Sequence, residues 1–100
     1  MSQRQALRKA RNYLDYSGFS RLGLIEQLSS EHGDKFSVED ATWAVDHAGA
    51  DWNAEAAESA KDYLEFQSFS HAGLVDQLSS EYGDQFTQEQ AEYGVSQAGL

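Results

Sequence analysis

Apolar residues recur along this chain in short blocks at helical spacing, each block opened and closed by the same polar punctuation. Ala6, Ala10, Tyr13 and Leu14 fall on one stripe of a 3.6-residue helix, and Ala56, Ala60, Tyr63 and Leu64 repeat the stripe. They predict helices near 3–17 and 54–67. Gly18 offers a left-handed stop to the first of these, and Ser68 stands in its place in the second. A second block holds Leu24, Ile25 and Leu28, then Leu74, Val75 and Leu78. Ser20 and Ser70 precede these blocks as N-caps, and Phe19/Leu24 and Phe69/Leu74 sit at hydrophobic-staple positions. Gly23 and Gly73 lie inside this helix and predict the close approach of another helix there; Gly33 and Gly83 are expected to end it. The third block, Val38, Ala41, Val45 and Ala48, is matched by Ala91, Val95 and Ala98. Ser37-Val38-Glu39-Asp40 and Thr87-Gln88-Glu89-Gln90 open it as capping boxes, with Phe36/Ala41 and Phe86/Ala91 as staples. Gly49 and Gly99 are placed to close it.

The blocks come twice because the chain is duplicated. Residues 6–50 align on 56–100 without a gap, and 21 of the 45 pairs are identical. The expected fold is therefore all-α: two tandem three-helix repeats, 1–50 and 51–100, packed together. In each, the second and third helices form a helix-turn-helix-like hairpin and the first packs across it. The connection, Ala50-Asp51-Trp52-Asn53, is too short and too poor in Gly and Ser to be flexible. Trp52 is expected at the junction of the repeats, holding them in a fixed orientation.

Charge separates what the pattern equates. The formal net charge is −10. Residues 1–50 carry six basic and seven acidic side chains, a balance of −1; residues 51–100 carry one basic and ten acidic, a balance of −9. Arg4, Arg8, Lys9 and Arg11 cluster in the first helix. The absence of cysteine excludes disulfides, thiol nucleophiles and cysteine-zinc sites. No apolar run approaches the roughly 20 residues of a membrane span.

Catalytic chemistry is hard to place. There is no nucleophile elbow, P-loop or dinucleotide glycine motif, and His32, His47 and His71 lack metal-ligand spacing. No enzyme activity, cofactor or metal is expected. A helix-turn-helix hairpin invites nucleic acid, but the third helices offer Glu39, Asp40 and Asp46, then Glu89 and Glu92, with no lysine or arginine. Nucleic-acid binding is the least favoured reading. Aromatics on an acidic surface are the better lead to a protein partner. Trp43 and Tyr93 lean off the core stripe, and Asp76, Glu81, Asp84, Glu89 and Glu92 supply the charge of the second repeat. These seven are the candidate partner-binding residues.

The series Tyr13-Leu14, Phe19-Ser20, Gly23-Leu24, Gln27-Leu28, Glu39-Asp40-Ala41, Ala44-Val45-Asp46, Asp51-Trp52-Asn53, Ala60-Lys61 and Tyr63-Leu64 resembles the repeat of the Ltp family of host cell surface-exposed lipoproteins. The resemblance covers the whole chain, twice. It implies a paired helical repeat displayed outside the cell and anchored to its surface, the signal and anchor lying outside this chain. Some phage-encoded members are superinfection-exclusion proteins that block entry of an incoming phage's DNA. The reading is thus a non-enzymatic, monomeric extracellular protein-interaction domain whose partner is basic or a phage injection component. The alternative is a structural repeat that self-assembles on the cell surface.

Overall fold

The computed structural model describes residues 2–100, and these form six α-helices. In chain order they are α1 (Ser2–Tyr16), α2 (Arg21–Ser29), α3 (Val38–His47), α4 (Trp52–Phe66), α5 (His71–Ser79) and α6 (Gln88–Gln97). Helix α1 packs across the α2/α3 hairpin, and α4 packs in the same way across α5/α6. Each repeat has its own core. Ala10, Leu24, Leu28, Ala41 and Val45 are buried in the first. Ala56, Ala60, Leu74, Val75, Leu78, Phe86, Ala91 and Val95 are buried in the second. The repeats lie end to end, and the molecule measures 43 × 23 × 22 Å.

The predicted caps are in place. Ser20 and Ser70 Oγ accept from the amides of Gly23 and Gly73, each at 2.9 Å. Thr87 and Gln90 make the full reciprocal capping box, at 3.1 and 3.0 Å. At the first copy only half of it forms: Ser37 Oγ accepts from the Asp40 amide at 3.1 Å. Aspartate is one methylene too short to reach back to the Ser37 amide. Gly49 and Gly99 adopt φ of +75° and +90° just past α3 and α6, the left-handed stop that glycine takes without steric cost.

Several expectations are corrected. Helices α2 and α5 end at Ser29 and Ser79, ahead of Gly33 and Gly83. The left-handed residues of the following turn are Lys35 and Gln85, at φ 62° and 64°. Gly33 and Gly83 serve close approach instead: a Cβ there would lie 2.1 and 2.3 Å from the carbonyl oxygens of Gln27 and Gln77. At Gly23 and Gly73 no other helix makes the predicted close approach; the near atoms are the capping hydroxyls of Ser20 and Ser70, where a Cβ would stand 2.9 Å away. Val38 is not core but 66% exposed; Ala44 is buried in its stead. Its counterpart Gly94 lets α6 sit on α4, where a Cβ would meet the Ala56 carbonyl carbon at 2.6 Å.

Candidate functional site

The seam between the repeats combines residues that both copies share with others, such as Gly18, Glu26, Glu55 and Gln85, that they do not. Gly18 is not a left-handed stop; it lies against α4, where a Cβ would stand 2.5 Å from Ser59 Oγ and 2.8 Å from the Glu55 carbonyl oxygen. Behind it, the Phe19 amide donates to Glu55 Oε1 at 3.0 Å. Burial pushes the Glu55 carboxyl upward, against the lowering effect of that bond. Ser20 Oγ, already the cap of α2, also donates to the Asp84 carbonyl oxygen. Gln85 Nε2 reaches Glu26 Oε2 at 3.1 Å. Trp52, the first residue of α4, packs on the core of the first repeat, as expected for the junction. These contacts cross the seam and fix one repeat on the other.

Along the seam runs an open cavity of about 240 Å³, lined by Ser17, Gly18, Ser59, Asp62, Tyr63, Phe66 and Asp84. Two of its lining residues, Tyr63 and Asp84, belong to a hydrogen-bonded network that occurs in both repeats. Tyr13 Oη donates to Asp34 Oδ2 at 2.9 Å while Gln27 Nε2 donates to Tyr13 Oη at 3.3 Å. Tyr63 Oη donates to Asp84 Oδ1 at 3.1 Å, with Gln77 Nε2 donating to Tyr63 Oη at 3.3 Å. Burial raises the Tyr63 phenol and the Asp84 carboxyl, the Tyr63 bond pulling Asp84 partly back. The expected core role of Tyr13 and Tyr63 is therefore incomplete: the ring packs on the core and the hydroxyl orders the turn after α2 or α5. The signal was in the sequence. Tyr, Gln and Asp are identical at all three positions of both copies.

The structure places the seven predicted residues in different surroundings. Asp84 is half-buried and belongs to the Tyr63 network. Glu92 is exposed but held by His71, with Nε2 to Oε2 at 3.0 Å. That bond raises the imidazole and lowers the carboxyl. Asp76, Glu81 and Glu89 are exposed and make no ion pair among the described residues. Tyr93 is 45% exposed on α6. It lies one turn from Glu89 and next to Glu92, so the three share the outward face of α6. Trp43, its counterpart on α3, lies outside both cores and stacks on His47 with ring centroids 4.2 Å apart. Tyr16 and Phe66, the last residues of α1 and α4, are more exposed still, at 87% and 85%. Among the described residues no cluster of three or more His, Cys, Asp or Glu is arranged to hold a metal.

The duplicated arrangement matches a known one. The family model described as host cell surface-exposed lipoprotein matches residues 2–48 and again 51–97. This chain belongs to the Ltp family. Among solved structures it is similar to that of Ltp, a superinfection exclusion protein from the Streptococcus thermophilus temperate phage TP-J34. The two share 38% sequence identity and superpose with a TM-score of 0.85, over 96% of this chain and 94% of that one. No curated protein sequence matches the chain. Membership in the Ltp family puts the chain among proteins of the cell surface. No helix among the described residues is long and apolar enough to cross a membrane.

Proposed function

We propose that this chain is the non-enzymatic interaction domain of an anchored surface lipoprotein and that it acts in superinfection exclusion. It would engage a basic protein of an incoming phage's injection machinery and so block DNA entry. The observation that carries this reading is the likeness, over nearly its whole length, to a superinfection exclusion protein. The charge distribution supports a basic partner. Ten acidic side chains against one basic in residues 51–100 produce a field that steers a cation to that half. Asp76, Glu81 and Glu89 supply free carboxylates, and Glu92 and Tyr93 extend the surface along α6.

Two measurements test it. The chain displayed on a sensitive host should reduce entry of phage DNA while leaving phage adsorption unchanged. The combined variant Asp76→Asn, Glu81→Gln, Glu89→Gln, Glu92→Gln should lose that protection while circular dichroism shows an intact fold. Four exposed carboxylates at a charged interface, each contributing a few tenths to about 1 kcal/mol, predict a loss of affinity of roughly tenfold or more. Full protection by the variant would remove the acidic surface from the mechanism. Unimpeded DNA entry with the unmodified chain would remove exclusion itself.

A further inference from the structure

The outward face of α1 carries charge that neither the fold nor the acidic surface uses. Arg4, Arg8 and Arg11 follow i, i+4, i+7 spacing and are all exposed. They face away from the stripe that buries Ala6 and Ala10. With Gln5, Leu7 and Asn12 they line one shallow hollow. Among the described residues the basic side chains that make ion pairs are others: Lys9 with Asp34 at 3.6 Å, Arg21 with Asp46 at 2.7 Å and His71 with Glu92 at 3.0 Å. Arg11 also borders a second hollow with Asp15, Asp51 and Glu55, so Arg4 and Arg8 are the freer two. The duplication provides an internal control. The same positions of α4 are Ala54, Glu58 and Lys61. The basic face thus belongs to the first repeat alone and is not required by the fold.

We infer that this face docks the domain on the anionic phospholipid headgroups of the membrane to which its family is tethered. Guanidinium groups pair with phosphate in bidentate fashion, and three of them span roughly 10 Å of helix, the scale of neighbouring headgroups. The half-buried Leu7 beside them adds apolar contact at the headgroup boundary. Three arginines bind a surface weakly, but a lipoprotein is already held there, and the tether supplies the effective concentration. The acidic repeat does not prevent it. The molecule is 43 Å long, several times the screening length of about 8 Å in physiological salt. Membrane is favoured over nucleic acid because the family is one of lipoproteins, and because the third helices that would enter a groove are acidic.

The test uses the whole chain, isotope-labelled, titrated with phosphatidylglycerol-containing vesicles and with pure phosphatidylcholine vesicles at low salt. Amide signals of α1 should broaden with the first and not with the second, and recover as salt is added. Each arginine-to-glutamine change should weaken binding about fivefold, less at Arg11, and Arg4→Gln/Arg8→Gln/Arg11→Gln should abolish it. Glutamine keeps the helix, which circular dichroism checks. Binding that is absent, that centres on the second repeat or that survives the triple change overturns the inference. So does a DNA duplex that binds the same face more tightly at equal phosphate. Self-association without lipid, lost in the triple variant, would assign the face to a second copy instead. None of these outcomes bears on the exclusion assay, whose variant alters only the second repeat.

Discussion

Asp84 carries the most informative conflict at the scale of single residues. Its side chain looked like one more surface carboxylate of an acidic repeat, yet it is half-buried and accepts from Tyr63. Burial raises its folded pKa above the ordinary value, so the folded state holds the proton more tightly than the unfolded chain does. The resulting stability is fully present below the unfolded pKa and is lost as pH rises through the folded one. Asp84→Asn keeps an acceptor for Tyr63 and removes the charge. It should be at least as stable as the unmodified chain at neutral pH, with the advantage shrinking as pH falls through the carboxylate range. Asp84→Ala, which strands the Tyr63 hydroxyl, should lose about 1–2 kcal/mol in urea unfolding. A neutral-pH Asn variant much weaker than the original would mean that the ionised carboxylate stabilises the turn. Histidine 71 shows substitution between copies at the same scale. Arg21 crosslinks α2 to Asp46 of α3, and where Asp46 becomes Ser96, His71 turns to Glu92 on the same helix pair.

Among elements, the helix starts are where sequence and structure agree best. Ser20, Ser37, Ser70 and Thr87 all accept from the third amide along, because this chemistry depends only on residues next to one another in the chain. At N3 the two third helices carry Asp40 and Gln90, an acid and an amide one methylene longer. Gln90 closes its box and Asp40 does not. Asp40→Glu should close it and raise stability by about 0.5 kcal/mol, and Thr87→Ala should cost about 1 kcal/mol. Both can be read from the midpoint of a denaturant titration, and no gain from Asp40→Glu would show that water already satisfies the Ser37 amide. Helix ends were less legible. Gly33 and Gly83 resemble stops, but α2 and α5 end earlier, and the left-handed positions fall on Lys35 and Gln85. The return hydrogen bonds explain this. The amides of Phe36 and Phe86 reach back to the carbonyls of Leu28 and Leu78 at 2.8 Å, which bends the chain inside the turn.

As a whole, the molecule is two cores with unequal independence. The second core is built from residues of its own repeat, whereas the first also takes Trp52 from the start of α4. Residues 51–100 alone should therefore retain helix and unfold cooperatively at moderate salt, which screens their charge of −9. Residues 1–50 alone, without Trp52, should melt at a lower temperature by circular dichroism, and extension through the start of α4 should restore part of the loss. Equal melting of the two halves would place the weight of the junction on the polar contacts at Glu55 and Asp84.

The sequence by itself determined the duplication, the six helices, their caps, the family and the charge contrast between the halves. All of these rest on neighbours in the chain or on a direct comparison of one half with the other. Only the tertiary structure decided which of the candidate residues are free. Asp84 went to the turn network, Glu92 to His71, Val38 to solvent and Gly18 to the seam. The reason is that burial and pairing of a side chain depend on what the other repeat or another helix brings within a few ångströms. Periodicity within one helix carries no record of that. The same reasoning leaves Arg4 and Arg8 among the exposed charges that pair with no other described residue.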